Sequence, residues 1–238
     1  MEEFLSSNGV RYEHHDLATD APAVEYLKTR GIKSVPVTII DEDTVIIGYY
    51  PKKLIPALNL DVTIDLSSKT DWLAEKYDGI LRATMRATDQ LDDDQLKGQV
   101  PWRPWSLRDV VLHIMSFPEL AWLSHKQGSM SSEDMAASNK RLAVRVNSSE
   151  ELREYGEGVR KNIIEFLNSG NQTAFDRVVP AHYGGEVTVV ELLNIILSHS
   201  THHLKQLYHH METGLNITPK DRASEKDFDG IVTPTALI

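Results

Sequence analysis

From Thr188 to Met211 the chain reads TVVELLNIILSHSTHHLKQLYHHM. Val189, Val190, Leu193, Ile195 and Ile196 recur at spacings of three and four, which at 3.6 residues per turn lays one apolar stripe along a helix. No Pro or Gly intervenes before Gly214, so the segment predicts one long helix, the last of a bundle. The same period predicts a helix over 70–91, with Trp72, Leu73, Tyr77, Ile80, Leu81, Met85 and Ala87 inward. A third runs over 107–127, entered at Ser106, whose hydroxyl can accept from a first-turn amide while Asp109 faces the positive helix end. A fourth opens at Ser148 and closes at Ser169-Gly170, burying Leu152, Tyr155, Val159, Ile163, Ile164, Phe166 and Leu167 in part.

Between these periodic segments the expectations are turns and crossovers. Asp92-Asp93-Asp94 reads as a solvated turn, since consecutive carboxylates cannot all face one ion. Residues 98–104 form a turn rich in Trp and Pro, with Trp102 and Trp105 packing at the helix entry or shaping a pocket mouth. The polar stretch 128–147, with a short helix over 133–142, is a long crossover of the kind that borders functional cavities. Two short extended pieces, 176–180 and 186–188, flank Tyr183-Gly184-Gly185; Tyr183 and Glu186 are within reach of a ligand there, though turn packing explains them too. The tail beyond Gly214, with Pro219, Pro234 and many charges, predicts a surface strap or partial disorder.

The first sixty residues change period. Residues 2–7 predict a short helix, Val10 to His14 an alternating strand, and 21–30 an amphipathic helix with Val24, Tyr26 and Leu27 inward. Val35 to Ile40 is a β-branched run, 41–43 an acidic turn, 44–48 its hairpin partner, and 51–58 a closing helix. The shift from a period near two to 3.6, with polar Ser67-Ser68 intervening, puts a boundary at 59–69. The expected domains are 1–60, 66–217 and a tail over 218–238; no internal repeat is visible.

Composition narrows the function classes. The 238 residues, 41% hydrophobic and 25% charged, suit one substantial core and a second small one. A net charge of -10 without a basic run argues against nucleic acid. Neither a signal peptide nor an apolar span is present, which predicts a cytoplasmic protein with no membrane partner; Met1 is also compatible with an internal start in a longer natural chain. Cysteine is absent, so disulfides, thiolate metal sites and a Cys nucleophile are excluded, and any thiol must come from a ligand.

Five of the ten histidines, His199, His202, His203, His209 and His210, fall in the last helix. His199 and His203, four apart, stand one turn apart on one face and can converge on one cation. His113 lies about two turns into its helix, between Val110 and Phe117, where it looks into a bundle. Trp105-Ser106-x-x-Asp109-Val110-x-x-His113, followed by His199-x-x-His202-His203-x-x-Gln206-Leu207, resembles the DinB/YfiT-like bacterial family of metal-binding four-helix bundles, over roughly 67–217. The resemblance implies that His113, His199 and His203 are the metal ligands and that His202 lies beside them or at an interface. It implies a pairing of subunits through helix faces, a homodimer with His202, His209 or Tyr208 on the shared surface.

Gly9-Val10-x-Tyr12-Glu13, Gly31-Ile32-x-Ser34-Val35-Pro36-Val37 and Gly48-Tyr49-Tyr50-Pro51 resemble the C-terminal three quarters of a glutaredoxin-like domain. That family presents backbone groups to a bound thiol around a cis Val-Pro bond, which makes Val35 and Pro36 candidate thiol-binding residues. Its first strand and its C-x-x-C turn are missing here. Dithiol exchange is therefore excluded, and the Val10 to His14 strand needs a new neighbour, either Val37 to Ile40 or a second subunit. The segment is either a relict docking surface or a retained thiol site.

The expected fold is thus α+β, an all-α four-helix bundle behind a small truncated thioredoxin/glutaredoxin-like α/β domain. Three neutral imidazoles with an open position suit a catalytic zinc or nickel centre. Such an ion either acidifies a water for attack on an electrophile or takes up an incoming thiol, and the family includes thiol-dependent transferases and isomerases as well as hydrolases. The expected function is a transferase or isomerase using a low-molecular-weight thiol and a small-molecule substrate. A metal-dependent hydrolase and a non-catalytic metal sensor or scaffold stay open. Gln206 is placed either to contact a group on the metal or to orient a ligand histidine through its second nitrogen.

Overall fold

The computed structural model describes residues 2–32, 35–41, 43–48, 51–62, 69–182 and 185–233. Ser34, Tyr49, Tyr50, Ser67, Ser68, Tyr183, Gly184 and Pro234, which figured in the expectations above, lie outside them. The described residues are mostly helical, with eleven helices and two two-stranded sheets. The chain divides into two compact units, Met1–Asp65 and Leu66–Ile238.

The first unit holds α1 (Glu2–Ser7), α2 (Ala21–Thr29), β1 (Val37–Ile40), β2 (Thr44–Ile47) and α3 (Pro51–Ala57). The hairpin forms as its β-branched residues require, antiparallel with Val37 opposite Ile47 and Ile40 opposite Thr44. The Val35–Pro36 bond is cis, and Val35 is exposed. Two expectations are corrected. Val10 to His14 is irregular and mostly exposed rather than a strand, because alternation alone supplies no neighbour for the backbone N–H and C=O groups to pair with. Tyr26 faces outward, so Leu27 alone of the three apolar residues predicted inward on α2 is fully buried.

The second unit is built on four long helices: α4 (Thr70–Thr88), α6 (Leu107–Gln127), α8 (Ser149–Leu167) and α10 (Val189–Thr213). Helix α4 packs on α8 and α10, and α6 packs on the same two, so the four close a ring with α4 and α6 diagonal to one another. Short helices α5 (Asp93–Lys97), α7 (Ser132–Ala143) and α9 (Gln172–Phe175), with the hairpin β3 (Val178–Ala181) and β4 (Gly185–Thr188), connect them. The Asp92-Asp93-Asp94 stretch is exposed as expected but opens a helix: Asp92 caps α5 by accepting from the Gln95 amide.

The core is the apolar stripes read from the sequence, with Leu73, Tyr77, Ile80, Leu81, Leu152, Ile163, Leu193 and Ile196 almost wholly enclosed. Several polar groups inside or bordering it are paired across helices. Tyr77 crosses from α4 to donate to the Leu193 carbonyl at 2.6 Å, and Glu119 on α6 accepts from Tyr155 on α8 at 2.8 Å and from Arg141 on α7 at 2.5 Å. Gly156 on α8 lets two methionines close in, since a Cβ there would stand 2.5 Å from the Met115 sulfur.

Of the two forms expected for the tail, residues 218–233 take that of a strap. Short helix α11 (Glu225–Phe228) packs on α4, Lys76 donates to the Lys226 carbonyl at 2.6 Å, and the Ala223 amide donates to Tyr208 Oη at 2.9 Å. Tyr208 is therefore buried under the tail, which corrects its placement on a free helix face.

Candidate metal centre

Two capped helices and one proline set the site. Ser106 and Asp109 form a reciprocal capping box at the start of α6, and Thr188 and Glu191 form another at the start of α10. Each box fixes where its helix begins, and with it the azimuth of every later side chain. Pro118 has no N–H to give to the Ile114 carbonyl one turn back, and that buried acceptor takes the Ser200 hydroxyl of α10 instead, at 2.9 Å. The bond pins α6 to α10 beside His113 and His199.

At this level three imidazoles meet. The His113–His199, His113–His203 and His199–His203 ring centroids are 4.9, 4.7 and 4.6 Å apart, close to an equilateral triangle. One ligand nitrogen from each lies within 4.8 Å of the other two, so the group could hold a metal ion. His113 Nε2 and His199 Nε2 share a hydrogen bond of 2.8 Å. His203 Nδ1–H donates to Gln206 Oε1 at 2.6 Å, which fixes the proton on Nδ1 and leaves the Nε2 lone pair facing inward. That Nε2 is buried and has no hydrogen-bond partner among the described residues. Of the two roles open to Gln206, the geometry is that of orienting a ring.

The surroundings keep the rings neutral. Burial lowers the pKa of His113, with His199, His203 and Arg103 adding repulsion, and burial lowers that of His199 in the same way. Burial pushes His203 down to about 4 against the opposing hydrogen bond to Gln206. A metal requires deprotonated imidazoles, so a site that resists protonation fits one. Phe117 packs at 4.0 Å on His113 and stacks at 4.9 Å on His199, and Trp105 covers His113 from 4.9 Å. Trp105 thus adjoins the cluster, whereas Trp102 stands edge-on to His210 at 5.3 Å.

His202 is half-buried beside His203, ring centroids 5.5 Å apart, and is not among the three converging rings. Glu186 is exposed on β4. Val35 and Pro36 belong to the other unit. Sequence reasoning missed two residues: Ser200, whose signal was the proline four residues after Ile114, and Arg103, an unremarkable cation in a turn.

A four-helix ring with a neutral histidine triangle between two helices defines a helical bundle with a candidate metal site. Comparison with protein families matches residues 77–207, more than half of the chain, to the DinB superfamily. The chain belongs to that superfamily. No curated protein and no solved structure matches it. No helix among the described residues is long and apolar enough to cross a membrane.

Proposed function

We propose that this chain is a divalent-metal-dependent enzyme in which His113, His199 and His203 hold zinc or nickel, and in which a low-molecular-weight thiol takes part in a transferase or isomerase reaction. The observation that carries the metal half is His203, a buried ring whose Nδ1–H is taken by Gln206 while its Nε2 faces two other rings and has no hydrogen-bond partner among the described residues. When bound, a divalent ion supplies the Lewis acidity that favours the ionised form of a thiol or a water. The chain supplies the rest. Burial and mutual repulsion keep the three rings neutral, Gln206 fixes one ring's tautomer, and Phe117 and Trp105 pack on His113.

The thiol half rests on the glutaredoxin-like resemblance of residues 1–60, within which the cis Val35–Pro36 bond is the candidate thiol contact. With no cysteine in the chain, the sulfur would come from the ligand. We infer a homodimer as well, with His202 and His209 as the remaining surface candidates; sedimentation showing only monomer would remove it.

Calorimetry tests the proposal in two stages. Zinc and nickel should each bind at one site per chain, and binding should be lost in His203→Ala. Glutathione, bacillithiol and mycothiol should then be titrated into the loaded protein. If none binds and esters or amides turn over without thiol, the hydrolase alternative replaces this proposal.

A further inference from the structure

Upstream of His113 the chain sets a cation beside the cluster. The loop between α5 and α6 folds back on itself: the Leu107 amide donates to the Gly98 carbonyl at 2.8 Å, Val100 to Trp105 at 3.0 Å, and Trp105 to Arg103 at 2.8 Å. These bonds fix Arg103 at the exposed turn of the loop. Its guanidinium lies 4.7 Å from the Trp105 ring centroid, and the Trp105 ring is 4.9 Å from that of His113. Guanidinium, indole and imidazole form one contiguous series, joined to α6 by the Ser106 cap.

Through Trp105 the charge of Arg103 is set one ring away from His113. A cation there opposes metal binding. The chain has 35 acidic residues against 25 Lys and Arg, yet among the described residues no carboxylate pairs with Arg103. Neighbouring Trp102 adds a second unmet donor, its buried Nε1 lacking a partner among the described residues. A guanidinium over an indole, with no ion pair among the described residues, presents a planar fork of N–H donors, the geometry that takes an oxyanion in two parallel hydrogen bonds.

We infer that Arg103 is the specificity-determining residue of this site and that it selects a ligand carrying a carboxylate, held by the guanidinium while the ligand's reactive end meets the three-histidine cluster. Only the placement of the reactive end rests on the metal proposal above; the anion contact stands apart from it.

The test uses the full chain, Arg103→Gln and Arg103→Lys, with zinc alone, mercaptoacetate, its methyl ester and inorganic phosphate as probes. Arg103→Gln should bind zinc at least as tightly as the wild type, because a cation has been removed. Zinc-loaded wild type should prefer mercaptoacetate to the ester by about tenfold or more, a preference lost in Arg103→Gln and partly kept in Arg103→Lys. In the metal-free protein, the Arg103 Nε–H resonance, assigned by its loss in Arg103→Gln, should move with mercaptoacetate and not with the ester. If zinc does not bind but the resonance moves, the metal proposal falls and this inference stands. Equal binding of acid and ester, an acid preference indifferent to both substitutions, an unmoved resonance, or a resonance moved by phosphate and not by the acid would each overturn it.

Discussion

His203 is the residue on which the site turns, and Gln206 decides what His203 can do. With Nδ1–H committed to Oε1 at 2.6 Å, the ring presents a lone pair at Nε2; without that acceptor it can rotate or change tautomer. Gln206→Ala is therefore expected to weaken zinc binding by about tenfold, in the range that loss of a ligand's hydrogen-bond partner produces, with the helical circular dichroism unchanged. Competition with a chromogenic chelator measures it, and unaltered affinity would show that packing alone orients the ring. The i, i+4 spacing made the His199–His203 pair legible in the sequence, because helical geometry is periodic. The two roles of Gln206 were not separable there, since a side-chain torsion chooses between them. Arg103 was invisible as a site residue: its importance comes from a backbone turn that stacks it on Trp105, and no period encodes a turn of that kind.

Helix α6 carries a proline in its interior, which removes one hydrogen bond and would leave the Ile114 carbonyl buried and unmet. Ser200 of α10 fills that vacancy, so a defect in one helix becomes a link between two. Ser200→Ala should cost about 1–3 kcal/mol of unfolding free energy, the desolvation penalty of an orphaned acceptor. In a Pro118→Ala background, which restores an N–H for Ile114, the same substitution should cost much less. Urea denaturation of the four proteins closes this double-mutant cycle, and equal penalties in both backgrounds would show that Ser200 does not serve the proline. The start of α6 was legible because Ser106 followed three residues later by Asp109 is a local signal, and in the structure α8 and α10 begin on the same kind of box. The strand expected over Val10 to His14 failed for the opposite reason. Its alternation is also local, but a strand exists only through a neighbour that sequence spacing does not supply.

Across the molecule, three imidazoles converging within one bundle make the metal-free protein sensitive to acid in a defined direction. Each ring has its folded pKa below the ordinary histidine value, so below about pH 6.5 the unfolded chain takes up protons that the folded chain refuses. Their contribution to stability is complete above that value and falls as pH drops, over a window that for His203 ends at about 4. For His203 alone, with little solvent exposure, the loss across the window is about 3 kcal/mol. Carboxylates such as Asp134 and Glu151, held low by amide hydrogen bonds, also cost stability in acid, so wild type must be compared with a variant rather than read alone. His203→Leu removes one of the refused protons and keeps an apolar volume in its place. Thermal melting of the two metal-free proteins should show the variant gaining on the wild type as pH falls from 7 to 4.5. A constant difference across that range would mean that His203 takes up its proton inside the folded bundle as readily as in water. The ring would then face solvent, and the enclosed triangle would lose the property that suits it to a metal.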